Sequence, residues 1–289
     1  MLSLLIVNWN TKDVLAECLA SLARHAPSTP FEVLVLDNAS HDGSAAMVAE
    51  RFPECRLIVS ERNLGYAGGN NALFAEATGD LLLTLNPDTA FKDDTLQRAV
   101  EHMHAHPETA VLAIRLVGTD GLTQRSVRGF PTALGILGDI TGLGKRFPGS
   151  GLDAYRLTAF DYDKPGPAPQ PMGTFLLFRR SALEAVGDPL KPFDERFPIF
   201  FNEVDLLYRL HQAGLPCAYV PDMHVLHHGG ESTRQVRKSM IWESHKSLSR
   251  YLWKHHGRGL NAPLTAAISC CVYVAAFLRA RGYDGGFRT

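Results

Sequence analysis

With 45% of its 289 residues hydrophobic and 20% charged, the chain has apolar material for a large buried core, in one domain or two closely joined ones. A formal net charge of −1 and a pI near 6.9 exclude a global attraction to nucleic acid. The five cysteines are odd in number and lack CxxC spacing, which excludes a disulfide framework or a zinc site built on them and suits a reducing cytoplasm.

The opening stretch, MLSLLIVNWN, lacks the basic segment and small-residue cleavage site of an export signal and reads instead as a core strand. Apolar runs at 2–7, 31–36, 56–59 and 81–85 have strand length, and a further strand is expected at 110–114. Between them, 13–24, 44–51, 68–77 and 93–104 carry helical spacing. This alternation, joined by short connections, predicts an α/β fold with a mainly parallel central sheet flanked by helices.

From 118 to 170 the texture changes: GLGKRFPGSG and DKPGPAPQP break any periodicity, so a long, partly mobile excursion across the active face is expected there, a candidate acceptor loop. Regular structure resumes with a strand at 173–180, a helix from Ser181, a helix carrying NEVDLLYRLHQAG and a strand near 217–220. A C-terminal helical extension over 236–289 ends in an apolar segment, 262–278, readable as a packed helix, an interfacial membrane contact or a span.

Four consecutive strand ends carry polar or Gly-rich loops: VNWNT with Asn8 and Asn10, LDNASHDGS with Asp37, NLGYAGGNN with Asn63, Gly65 and Asn70, and LNPDT with Asn86 and Asp88. In an open α/β sheet such loops converge on one crevice. A carboxylate at Asp37 can accept hydrogen bonds from a pyrimidine imide N–H or a ribose hydroxyl, while Ser40 and Asp42 read as caps of the next helix. The glycine loop reads either as a plain turn or as a helix start whose N–H groups face an anion. Pro87 stops the fourth strand, leaving Asp88 either as a turn cap or just past a strand's carboxyl end, where open α/β sheets keep their ligands.

Taken in order over residues 2–235, LLIVNWNT, VLVLDNASHDGS, NLGYAGGNN, LLLTLNPDT, GTFLLFRRSALEAVG, FDERFPIFFNEVDLLYRLHQAG and VLHHGGEST resemble the inverting family 2 glycosyltransferases of GT-A fold, in particular their rhamnosyltransferase-like branch. The resemblance implies a GT-A domain over 1–235, with a nucleotide-sugar-binding half (1–115) and an acceptor and catalytic half (116–235). It also implies a donor such as dTDP-rhamnose or a UDP-sugar, and a glycan or polyprenyl-diphosphate-linked acceptor in cell-surface polysaccharide synthesis. The enzyme would work in the cytoplasm, peripheral to the inner face of the membrane.

LNPDT stands where the family has its DxD motif, so Asp88 would hold Mg2+ or Mn2+ with Asn86 replacing the first acid. His227, or failing it His228, would complete the metal shell, with Ser232, Thr233 and Arg234 reaching phosphate oxygens. Glu203 takes the place of the family's catalytic aspartate and would deprotonate the acceptor hydroxyl. Asp205 would orient a neighbour, contact the acceptor or serve as a helix-start carboxylate. The run KSLSRYLWKHHGRG reads as a contact for an anionic lipid-linked acceptor or as a solvated helix face. A nucleotidyltransferase and a noncatalytic sugar-binding scaffold are the rival readings.

Overall fold

The computed structural model describes residues 1–229 and 237–282. Its first half alternates β1 (Leu2–Asn8), α1 (Lys12–Arg24), β2 (Phe31–Asp37), α2 (Ser44–Arg51), β3 (Arg56–Val59), α3 (Gly65–Glu76) and β4 (Leu81–Leu85). Then come β5 (Thr89–Ala90), α4 (Thr95–Ala105), β6 (Val111–Val117), β7 (Val127–Arg128), α5 (Ala133–Thr141), α6 (Leu143–Arg146), β8 (Gly166–Pro167) and β9 (Gln170–Pro171). The rest comprises β10 (Phe175–Arg179), α7 (Arg180–Glu184), α8 (Asn202–Gln212), β11 (Cys217–His227), α9 (Arg237–His256), a 3-10 turn (Gly259–Asn261) and α10 (Ala262–Ala280).

One nine-stranded sheet runs in the order β3-β2-β1-β4-β10-β6-β11-β5, with β8 on β11. Its first four strands are parallel, as the alternation predicts. Because β1 lies between β2 and β4, the strand order reverses there and opens a crevice at the carboxyl ends. Helices cover both faces, which is why β1 and β4 are apolar without alternation: Leu4 and Ile6 pack beneath α1, α2 and α4, while Leu5 and Val7 pack beneath α3 and α8.

The second half departs from the parallel scheme in a way that matters for the site. β10 runs antiparallel to β4, placing Phe175 opposite Leu85, so the residues that precede β10 lie beside the carboxyl end of β4. β11 continues past Pro221, where strand was expected to end, by shifting register between Val220 and His224. Its far end pairs antiparallel with β5, setting His227 opposite Thr89.

The expectation of a long loop over 118–170 is corrected. The stretch holds α5, α6 and three short strands, and small residues let it pack tightly: a Cβ on Gly138 would sit 2.1 Å from the Leu152 carbonyl oxygen. The C-terminal helices are equally integrated. Ile136 of α5, Val204 of α8, Leu248, Tyr251 and Leu252 of α9 and Ile268 and Val272 of α10 form one buried cluster.

Candidate active site

Register brings the predicted residues to one rim. Asn8 pairs with Asp37 and Asp37 with Val59, so the ends of β1, β2 and β3 stand level. Asp37 is 2% exposed; its Oδ1 accepts the Ser40 N–H at 3.0 Å, while its Oδ2 is buried with no partner. A buried carboxylate oxygen left open costs stability unless something donates a hydrogen bond to it, which makes this atom a candidate ligand acceptor.

Several other predicted contacts are spent on building the rim. Asn8 is fully buried, donating to Ser40 Oγ and accepting from Thr11 Oγ1 at 2.6 Å. Asn10 accepts the His41 N–H and, with φ 51, sits in the left-handed region. Asn63 accepts from Gly65 N and Asn38 Nδ2, and Asn70 donates to the Tyr66 carbonyl while its Oδ1 is buried without a partner. The helix start after the glycine loop does not offer its first N–H groups to an anion: Tyr66 and Ala67 N–H both donate to the Pro198 carbonyl. Gly65 permits that joint, since its φ is +71° and a Cβ there would lie 2.6 Å from the same oxygen. Asn38, which the sequence reading passed over, latches the loop by donating to the Gly65 carbonyl and accepting from Leu64 N–H at 2.7 Å.

The two metal candidates, Asp88 and His227, lie side by side. Asp88 Oδ1 and His227 Nε2 lie 3.5 Å apart and both residues are about 95% buried. Of the adjacent histidines it is His227 that faces Asp88; His228 turns to Glu17 of α1 at 3.4 Å. Gln124, also absent from the sequence reading, fixes the His227 ring. Its Nε2 donates to the His227 carbonyl at 3.0 Å, which leaves its Oε1 to accept the Nδ1–H at 2.8 Å. The Nε2 lone pair is thereby directed toward Asp88, the tautomer a metal ligand needs. Among the described residues no third His, Cys, Asp or Glu completes the group. One carboxylate plus one imidazole therefore fit a divalent cation that would draw its remaining ligands from diphosphate and water.

Residues 173 and 174 join this pair to the candidate base. Thr174 is fully buried, with Oγ1 3.5 Å from His227 Nε2 and 3.5 Å from Asn86 Nδ2, and its carbonyl accepts the Asn86 N–H. On the other side, the space over Gly173 is bounded by Glu203, whose Cγ would be 3.5 Å from a Cβ there. Tyr66 donates to the Gly173 carbonyl at 3.0 Å. Glu203 stands in the first turn of α8, half-buried, and burial pushes its carboxyl up to about 7 against the pull of its own and the Val204 N–H groups. The residue entering this turn, Phe201, is buried at φ 68, a strained conformation that aims the turn into the crevice.

Asp205, grouped with Glu203 in the sequence reading, points the other way. Its carboxylate is fully buried and taken up by Lys254 Nζ at 2.6 Å, His255 Nε2 at 2.7 Å and Arg209 Nε at 3.0 Å. Burial would raise its pKa, but the His255 and Lys254 hydrogen bonds outweigh that and hold it below the ordinary value. A carboxylate so committed anchors α8 to α9 and has no lone pair facing the crevice to offer an acceptor. Ser232, Thr233 and Arg234 lie outside the described residues.

A central, mostly parallel sheet flanked by helices, with a polar rim at its carboxyl ends, is the architecture of the GT-A glycosyltransferases. The family model described as "Glycosyl transferase family 2" matches residues 3–187, and the chain belongs to that family of enzymes. It is 30% identical over 281 residues to the N-acetylglucosaminyl-diphospho-decaprenol L-rhamnosyltransferase of Mycobacterium tuberculosis, covering 91% of this chain and 88% of the relative. Among solved structures it is similar to a mannosyltransferase from Pyrobaculum calidifontis in complex with GDP-Man and Mn2+, with TM-score 0.57, 17% identity, and 99% and 76% of the two chains covered. Residues 1–349 of S. aureus TarS superpose with TM-score 0.55 at 17% identity, over 98% of this chain and 82% of that one. These likenesses establish the GT-A fold, and divalent-metal dependence is typical of the family.

Proposed function

We propose that the chain transfers a sugar, rhamnose from dTDP-rhamnose first among candidates, from a nucleoside-diphosphate donor to a glycan or polyprenyl-diphosphate-linked acceptor in cell-surface polysaccharide synthesis, with inversion at the anomeric carbon. The observation that carries this reading is the arrangement around residues 173 and 174, with the Asp88–His227 pair on one side and Glu203 on the other. The mycobacterial relative's printed name supports the sugar and the class of acceptor. The five cysteines, all free, suit work in the cytoplasm.

In this reading Asp37 Oδ2 accepts from the base or ribose of the donor, and Asp88 with His227 Nε2 holds Mg2+ or Mn2+. Such a cation supplies charge compensation for the departing nucleoside diphosphate. Glu203 takes the proton from the acceptor hydroxyl as that oxygen attacks the anomeric carbon, and a carboxyl poised near 7 is matched to that task at neutral pH. Two facing partners and a single displacement require no covalent sugar intermediate.

Turnover of a panel of nucleotide sugars with Mn2+ tests the reading. Release of nucleoside diphosphate from a dTDP- or UDP-sugar is expected. Formation of pyrophosphate from a nucleoside triphosphate and a sugar phosphate would assign the site to nucleotidyl transfer, and nucleotide binding without turnover on any acceptor would assign it to a scaffold.

A further inference from the structure

Helix α10 is apolar on both sides. Its inner side, with Ile268, Val272 and Ala276, is buried against α9 and α5. The outer side repeats at helical spacing through Leu264, Ala267, Cys271, Val274, Phe277 and Leu278, all exposed, with Val274 at 58% and Leu264 at 50%. A helix end exposed to water carries charge on that face, and this one carries none until Arg281. The neighbouring α5 and α6 repeat the pattern: Leu134 is 51% exposed, and Leu137, Leu143 and Phe147 also face out.

The exposed charges described on these segments are positive. Among the described residues from 257 to 282, Arg258 and Arg281 are exposed cations and none is acidic. At the end of α6, Lys145 and Arg146 are exposed, while the one acid of this stretch, Asp139, is buried and ion-paired with Arg156. Trp253 and Tyr273, each more than 40% exposed, add amphipathic rings of the kind that settle at a headgroup boundary. A second copy of the chain would set like charge against like across this surface. A bilayer rich in anionic lipid satisfies both the apolar stripe and the cations.

We infer that the outer faces of α10 and the α5–α6 segment form a docking surface for an anionic lipid bilayer, on which α10 lies in the interface plane. The helix, with its 3-10 lead-in, is long enough to span, at 22 residues from Gly259 to Ala280. Its inner side closes the cluster of Ile136, Leu248, Tyr251 and Leu252, however, and spanning would tear that core open. The inference stands apart from the choice of donor and acceptor, because the surface is independent of the crevice.

Co-sedimentation of the full chain with vesicles tests it, using equal phosphatidylglycerol and phosphatidylcholine against phosphatidylcholine alone. The wild type is expected to bind the anionic vesicles, more weakly in high salt and on the neutral ones. Val274→Asp with Phe277→Asp should lower that binding by about tenfold or more, with donor binding unchanged. Arg258→Gln with Arg281→Gln, both at exposed sites, should remove the preference for anionic lipid with an unchanged melting curve. Failure of the wild type to bind anionic vesicles overturns the inference, as does equal binding by the folded variants. A concentration-dependent dimer without vesicle binding, lost in the aspartate variant, would give the face to a second copy instead.

Discussion

Glu203 and Gln124 carry the residue-level claims. The Glu203 carboxyl is raised to about 7 by burial, and only its carboxylate can accept a proton, so turnover should climb with pH through that value. Glu203→Gln should keep donor affinity near wild type and lower turnover by about 10² to 10⁴, read from single-turnover transfer; unaltered turnover would remove Glu203 as the base. The same shift has a stability consequence. A raised folded-state pKa means that the acid form is favoured in the fold, so the contribution is full below pH 4.5 and is lost as pH rises through 7. Between pH 5 and 8 the wild type should therefore lose up to about 3 kcal/mol more stability than Glu203→Gln in denaturant titrations. Gln124 acts through His227 by fixing its tautomer. Gln124→Leu should weaken Mn2+ affinity in the presence of donor by about 10- to 100-fold, and calorimetry showing no change would refute that role. The place of Glu203 at the helix start was legible because a motif surrounds it. Gln124 was not, since no motif marks it and its partner lies 103 residues away.

Among elements, α8 is held from behind by α9. Asp205 draws Lys254 and His255 of α9 to the same oxygen and Arg209 of its own helix to the other, which sets the orientation of the turn that carries Glu203. Removing the carboxylate leaves the partly buried Arg209 without its counter-charge and Lys254 with Asp194 alone, so Asp205→Ala should cost about 3–5 kcal/mol of stability by chemical denaturation, and Asp205→Asn less. A change under 1 kcal/mol in the alanine variant would contradict the anchoring role. Because the Asp205 pKa is depressed, its stabilisation is present above the unfolded value of 3.8 and is lost as pH falls through the lower folded value. Spacing along the sequence placed Asp205 on the helical turn of Glu203 and facing another direction, but could not name Lys254 and His255 as its partners, because that depends on where α9 packs. Likewise the glycine loop announced a turn. Only the approach of Pro198 shows why Gly65 must be glycine and why the N–H groups after it are occupied.

Across the whole molecule, the alternating first half was readable because local periodicity and parallel pairing agree there. The boundary expected at 115 and 116 falls inside β6 (Val111–Val117), since β10, β6 and β11 extend the same sheet as β1 to β4. Antiparallel pairings made over long separations, β10 on β4 and β11 on β5, are what carry Thr174 and His227 to Asp88, and no local pattern encodes them. The excursion over 118–170 escaped reading for a related reason: α5 is stabilised by α8, α9 and α10 rather than by its own Gly-rich sequence. The central claim is that this convergence holds a donor through a metal at Asp88. Calorimetric titration of the wild type and Asp88→Ala with whichever dTDP- or UDP-sugar the wild type binds, with Mn2+ and with a chelator, tests it most directly. Mn2+-dependent affinity is expected in the wild type, and in Asp88→Ala a weak affinity that is the same with and without metal, at an unchanged melting temperature. Wild-type metal-dependent affinity in Asp88→Ala would contradict it.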